Sequence, residues 1–323
     1  MTLFNNIIVP LDGSESSAHA LPAAQLMADA SGAKLTLVRC FPEIPEWQAD
    51  ASRGRRRGSM ADAEHRRVGA YLAGQRLRLE RQGFPSTVEI EAREGPAHDI
   101  IAGVANRNPH SLIAMSTHGQ GGWARLMSGS VTSRVLGAVS NPAFVVRCND
   151  LDCPVVPPSF DNIIVPLDGT ELGESALQYA GELASTFDAR ITLLRSIPDA
   201  AHFYYAHADW SFFGGPSFSH NDVQDMAGEA EADSAKYLDG AANTLSSSFP
   251  GIQVGKLSSN ANAAKAIVDL SQRLDNSMVV MATRGRRGLR RMLLGSVADQ
   301  VVRNSPVPTL LVKSSSGKGH ADK

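Results

Sequence analysis

The sequence predicts an α/β protein built from two tandem doubly wound domains, each a five-stranded parallel sheet flanked by helices. Three observations lead there. The chain has 323 residues, about twice the length of an ordinary domain. The run Asn6-Ile7-Ile8-Val9-Pro10-Leu11-Asp12-Gly13 recurs identically as Asn162-Ile163-Ile164-Val165-Pro166-Leu167-Asp168-Gly169, at an offset of 156, the mark of an internal repeat. Short runs apolar on both faces alternate with helix-periodic segments, the pattern of a parallel sheet covered on both sides.

In the first copy, residues 5–10 form an apolar run that ends in Asp-Gly. Residues 16–30 follow with helical spacing at Leu21, Leu26 and Met27. Residues 35–40 read as a buried strand, 61–81 as a long helix, 87–92 as an alternating strand and 97–105 as a helix. A strand over 111–116, a helix over 130–139 and a last strand over 144–147 complete the unit. The second copy repeats this order and closes on 309–312. Right-handed crossovers between parallel strands then give Rossmann-like domains over residues 1–148 and 161–313.

Thr117-His118-Gly119 matches Thr283-Arg284-Gly285, and Gly129-Ser130-Val131 matches Gly295-Ser296-Val297, now at an offset of 166. The second copy therefore carries ten extra residues after its second strand. An aromatic stretch from Phe203 to Phe218 falls there and is expected to fold over its own domain rather than to meet a partner. The proline-bearing segment 149–160 reads as a stiff linker, and 314–323 as a disordered tail.

A net charge of −2, with 43% hydrophobic and 20% charged residues, describes an ordinary soluble protein and provides no positive field for nucleic acid. The local run Arg53, Arg55, Arg56, Arg57 reads as a solvated loop. No stretch is long and apolar enough to span a bilayer. The opening residues enter a strand-like run at once, so no leader is expected. Three cysteines, Cys40, Cys148 and Cys153, make neither a disulfide framework nor a zinc cluster, and thiols in a reducing cytoplasm are expected.

Ligands of doubly wound sheets bind beyond the carboxyl ends of the strands, where strand order reverses. Asp12 and Asp168 end the first strand of each copy, where a carboxylate can accept from an exocyclic amine or a ribose hydroxyl. Asp-Gly also favours a tight turn on its own account. After the fourth strand, Gly119 and Gly122 lead to Gly129-Ser130 at a helix start; Gly285 and Gly288 lead to Gly295-Ser296. Glycines admit a phosphate close to the backbone, and the helix start supplies amide donors. Either serine could equally be a plain N-cap. His118 stands opposite Arg284, so no imidazole mechanism is shared and a phosphate-facing or loop-positioning role is expected. Arg284, Arg286, Arg287, Arg290 and Arg291 make the second loop basic, either as a solvated face or by touching phosphate, and the second site is expected to be the tighter.

Residues 5–147 and 161–313 resemble the universal stress protein family, in the tandem layout of its two-domain members. The nucleotide-binding pattern of that family is Gly-x-x-Gly, nine residues, then Gly and Ser or Thr. Gly119 with Gly129-Ser130, and Gly285 with Gly295-Ser296, match it; the leading glycine is replaced by Ser116 and by Ala282. The resemblance implies ATP, with ADP or AMP as alternatives, and magnesium bridging the phosphates. It also implies that the two copies pack through their last strands as a pseudo-twofold pair, with further association into a homodimer open. It places Asp12 and Asp168 on the adenosine, with Pro10 and Pro166 beside them. Backbone at Val38 and Cys40, and at Leu194 and Ser196, would meet the adenine edge. Thr117, Val131, Thr283 and Val297 would flank the phosphates with the glycines and serines.

No carboxylate pair, activated nucleophile or repeated metal-ligand cluster is evident. An ATP-binding stress-response regulator, acting through nucleotide-dependent conformation or association with an unidentified protein partner, is therefore expected rather than an enzyme. A nucleotide-free interaction module of the same fold is the alternative. An adenylate-transferring enzyme is a more remote one.

Overall fold

The computed structural model describes residues 3–43, 57–118, 131–148, 159–197, 220–283 and 294–313. The linker 149–158, the aromatic stretch 203–218, the tail 314–323 and the arginines at 53, 55 and 56 lie outside the described residues.

The first half runs β1 (Asn6–Pro10), α1 (Glu15–Ala18), α2 (Ala20–Ser31), β2 (Lys34–Phe41), α3 (Arg57–Arg81), β3 (Val88–Glu94), α4 (Ala97–Asn106), β4 (Ser111–His118), α5 (Val131–Ala138) and β5 (Ala143–Cys148). The second runs β6 (Asn162–Pro166), α6 (Glu171–Phe187), β7 (Arg190–Ser196), α7 (His220–Ser248), β8 (Val254–Ser259), α8 (Ala263–Arg273), β9 (Ser277–Thr283), α9 (Ser296–Asn304) and β10 (Thr309–Lys313). The single helix expected over 16–30 is instead two. Pro22 has no N–H to give the Ala18 carbonyl, so the ladder breaks and α1 ends at His19.

All ten strands share one sheet, ordered β3-β2-β1-β4-β5-β10-β9-β6-β7-β8. Each half is a parallel five-stranded sheet whose order reverses between its first and fourth strands. The halves join as expected, through β5 and β10, antiparallel, with Thr309 opposite Val145 and Leu311 opposite Ala143. Strand residues alternate between faces. Ile7, Val9, Leu35 and Leu37 face α2 and α3 in a core that continues across the seam into Ile163, Val165 and Leu193. Ile8, Val38, Ile113 and Met115 face α4 and α5 on the other side.

Residue 160, expected in the linker, is core. Phe160 is fully buried, packing edge-on against Phe144 of the first half at 6.1 Å and Phe187 of the second at 5.5 Å. Phe4 stacks on Tyr179 across the seam at 6.2 Å. The cysteines also need a correction. Cys40 is a free thiol, but Cys148 is disulfide-bonded, with its partner outside the described residues.

Candidate functional site

Asp12 lies just past β1, and its Oδ1 accepts from the Ser14 amide at 2.8 Å and the Ser14 hydroxyl at 2.6 Å. Ser14 in turn N-caps α1, its Oγ accepting from the Ser17 amide at 3.1 Å. The second half repeats the arrangement. Asp168 Oδ1 accepts from the Thr170 amide at 3.0 Å and the Thr170 hydroxyl at 2.6 Å, and Thr170 N-caps α6 through the Gly173 amide at 3.1 Å. The turn reading of Asp-Gly thus holds in both halves, and Oδ1 is the oxygen that serves it. Burial works to raise the Asp12 pKa, but the bonds from Ser14 and Ser17 outweigh it and hold the carboxyl below its ordinary value. Each aspartate is exposed, with Oδ2 outside these turn bonds.

The neighbouring strand supplies backbone groups. Leu11 N–H donates to the Val38 carbonyl at 2.8 Å, and Leu167 N–H to the Leu194 carbonyl at 2.8 Å. On the outer side, Gly95 N–H bonds the Phe41 carbonyl, and Ile197 N–H bonds the Ser259 carbonyl. In a parallel strand, successive residues serve opposite neighbours. The amide and carbonyl of Cys40 and of Ser196 therefore turn inward, to the side where β1 or β6 has already ended. Val38 and Leu194 are engaged by the fold, so the open backbone of each half belongs to the residue two further on. Burial pushes the Cys40 thiol up to about 11, which disfavours its thiolate form. The Ser196 hydroxyl is held by the Ala261 carbonyl at 2.5 Å.

Thr117, the penultimate residue of β4, and Thr283, the last of β9, are both 2% exposed. Among the described residues Thr283 Oγ1 is buried without a hydrogen-bond partner, the kind of group that calls for a ligand or water. Beyond it, Gly295 adopts φ 81° and precedes α9 directly. A side chain there would find open space, so the torsion, not packing, requires glycine. Ser296 and Val297 open α9 where the first amides lack helical partners. In the first half Val131 opens α5 and is 42% exposed. Pro10 and Pro166 close β1 and β6 directly before these turns.

Ser116, in place of the family's leading glycine, donates its hydroxyl to the Ser16 carbonyl at 2.5 Å, tying β4 to α1. Ala282 packs into the core instead. Gly119, Gly122, Gly129, Ser130, Arg284, Gly285 and Gly288 lie outside the described residues, and only the backbone of His118 is described.

One pair of residues was missed in the sequence. The Arg39 guanidinium lies over the Tyr71 ring at 4.5 Å, and that of Arg195 over Tyr237 at 4.6 Å, a cation–π contact. Each also covers the glycine after the aspartate. A methyl on Gly13 would come within 2.5 Å of Arg39, and one on Gly169 within 3.3 Å of Arg195. Burial raises the pKa of both tyrosines, helped at Tyr237 by Glu174. The signal was available, because the arginines stand at the first repeat offset and the tyrosines at the second.

The fold and this duplicated strand edge define a tandem doubly wound α/β protein, and sequence comparison makes the assignment specific. The model of the universal stress protein family matches residues 3–147 and 159–313, so the chain belongs to that family. A universal stress protein of Mycobacterium tuberculosis strain H37Rv is 23% identical over 320 residues, covering 95% of this chain and 94% of its own. Another, from strain CDC 1551, is 26% identical over 311 residues, covering 96% of each chain. The crystal structure of a universal stress protein from Archaeoglobus fulgidus DSM 4304 superposes with a TM-score of 0.62 at 18% identity, covering 96% of this chain and 98% of that one, which supports the fold. No helix among the described residues is long and apolar enough to cross a membrane.

Proposed function

We propose that each half binds one adenine nucleotide, ATP in the first instance, and that the chain acts as a nucleotide-dependent stress-response regulator rather than an enzyme. The observation that carries the reading is the inward-turned backbone of Cys40 and Ser196 beside a fixed aspartate at each switch point. An adenine edge pairs a ring nitrogen acceptor with an amine donor, and one amide with one carbonyl answers both. Oδ2 of Asp12 and Asp168 is left to the ribose or amine. The amides of Ser296 and Val297 and the unpartnered Thr283 hydroxyl lie where phosphates would follow.

Among the described residues no three His, Cys, Asp or Glu side chains gather to hold a metal. A magnesium ion would accordingly be carried on the phosphates and meet the Ser296 hydroxyl at the start of α9. Its contribution would be to neutralise phosphate charge. The raised pKa of Cys40 disfavours nucleophilic chemistry at that thiol. Slow hydrolysis, if it occurs, would be incidental.

The test is extraction of nucleotide from purified protein with mass spectrometry, followed by calorimetry with ATP, ADP and AMP. Two sites per chain are expected for ATP, one lost on Asp12→Ala and the other on Asp168→Ala. No extracted nucleotide together with no binding heat would defeat the reading. It would leave the second one, an interaction module, which the Ser116 tie to Ser16 favours because it closes the place of the missing glycine.

A further inference from the structure

The antiparallel seam has a geometric consequence for the helices that open at the two candidate sites. Continuing its register sets Lys313, the last residue of β10, level with Asn141, just past the end of α5. It likewise sets Arg147, near the end of β5, level with Val307, just past the end of α9. The side chains use that placement. Lys313 Nζ donates to the Leu136 carbonyl and, at 2.5 Å, to the Val139 carbonyl, both in the closing turn of α5 in the other half. Arg147 Nη1 donates to the Asn304 carbonyl, the last residue of α9, at 3.5 Å. The two cations occupy equivalent positions of the repeat. Each therefore caps the helix of the opposite domain at its negative end, where a cation both satisfies orphan carbonyls and opposes the dipole.

At its own end each cation adjoins the other site. Lys313 pairs in register with Thr283, whose hydroxyl is buried and unpartnered, and Arg147 pairs with Thr117. One residue thus touches the strand end of one candidate site and the helix that serves the other.

We propose that Lys313 and Arg147 are cross-domain positioning residues: Lys313 sets the α5 helix for the first-domain nucleotide site, and Arg147 sets the α9 helix for the second. The inference rests on the nucleotide reading above and adds to it a coupling between the two sites. A helix held at its carboxyl end presents its first amides to a phosphate in a fixed pose, so removing the cap weakens binding at the far domain. Lys313 reaches two carbonyls and Arg147 one at longer range, so the first site depends more on its cap than the second.

The experiment uses the full chain with one site disabled at a time. In the Asp168→Ala background, Lys313→Met is expected to lower ATP affinity at the first site about fivefold, with Lys313→Arg restoring it. In the Asp12→Ala background, Arg147→Met is expected to lower affinity at the second site by about twofold to threefold. In the intact chain, ATP bound at one site should raise affinity at the other; Lys313→Met should weaken that effect, and Lys313→Met combined with Arg147→Met should abolish it. Loss confined to the substituted residue's own domain, or unchanged affinity at the far site, would overturn the proposal. Hydrogen exchange of the closing-turn amides of α5, measured without nucleotide, separates its failure from that of the nucleotide reading. Faster exchange in Lys313→Met is expected even where no ATP binds, whereas unchanged exchange would refute the cap itself.

Discussion

The two halves of the chain diverge in their first helix and agree at the edge just before it. In the first half Pro22 splits the segment into α1 and α2, while the equivalent Gln178 lets α6 run unbroken from Glu171 to Phe187. Ser17 supplies a hydroxyl to the Asp12 amide at 3.3 Å. Its counterpart is Gly173, where a side chain would press within 2.7 Å of Asp168 Oδ1. Helix geometry has drifted, and so have the residues around each aspartate. The aspartate with its Ser or Thr partner, the glycine at positive φ and the arginine laid over a tyrosine have not. A helix can be rebuilt by many sequences, but a carboxylate held at a strand end needs particular donors at particular places.

The comparison can be broken at its common support first. Phe160→Ala, which removes the ring linking Phe144 to Phe187, should destabilise the chain by about 3–5 kcal/mol and lower the thermal transitions of both halves. A loss confined to the second half would mean that the seam does not bind them. Next comes the helix. Gln178→Pro should cost about 3 kcal/mol, whereas Pro22→Ala should shift stability by less than about 1 kcal/mol and fuse α1 with α2, readable as added helical circular dichroism. Equal costs for the two substitutions would erase the distinction drawn between the helices.

The shared edge is sharpened by a matched pair. Gly13→Ala and Gly169→Ala both place a side chain at positive φ, at 94° and 83°, for about 1–2 kcal/mol each. Gly13→Ala should cost more, because its methyl meets the Arg39 guanidinium while Gly169 has more room. Urea midpoints give the difference, and adding Arg39→Ala should remove it. The smallest effect is acidic. The folded pKa of Asp12 lies below its unfolded value, so its stabilisation is complete above the unfolded value, near pH 4, and is lost as pH falls through the folded one. Asp12→Asn should therefore lower stability at pH 7 and reduce its fall between pH 5 and pH 2; an unaltered acid profile would deny the Ser14 bonds their role.

Much of this was legible in the sequence, for a physical reason. Apolar runs such as Ile7-Ile8-Val9 leave few choices but a buried parallel strand, the repeat revealed the domain count, and the family resemblance supplied the pairing of the halves. What was missed lay in interactions between separate segments. Nothing local to Arg39 announces that it reaches from β2 to rest on Tyr71 of α3, and nothing local to Phe160 separates it from the proline-rich stretch before it. The break at Pro22 was readable from the missing N–H, yet the apolar spacing of Leu21, Leu26 and Met27 masked it. The site was legible as a set of strand ends. Of the backbone read at Val38 and Cys40, and at Leu194 and Ser196, only the second of each is left open, because which carbonyls the strand ladder consumes is decided only when neighbouring strands come into register.

Joining β5 to β10 inside one polypeptide makes the pairing of the two halves independent of how much protein a cell contains. Dilution cannot separate them, and no mixed pair with a foreign partner can form along that border. The two edges stand in a fixed one-to-one ratio, and any larger assembly must use surface outside that border.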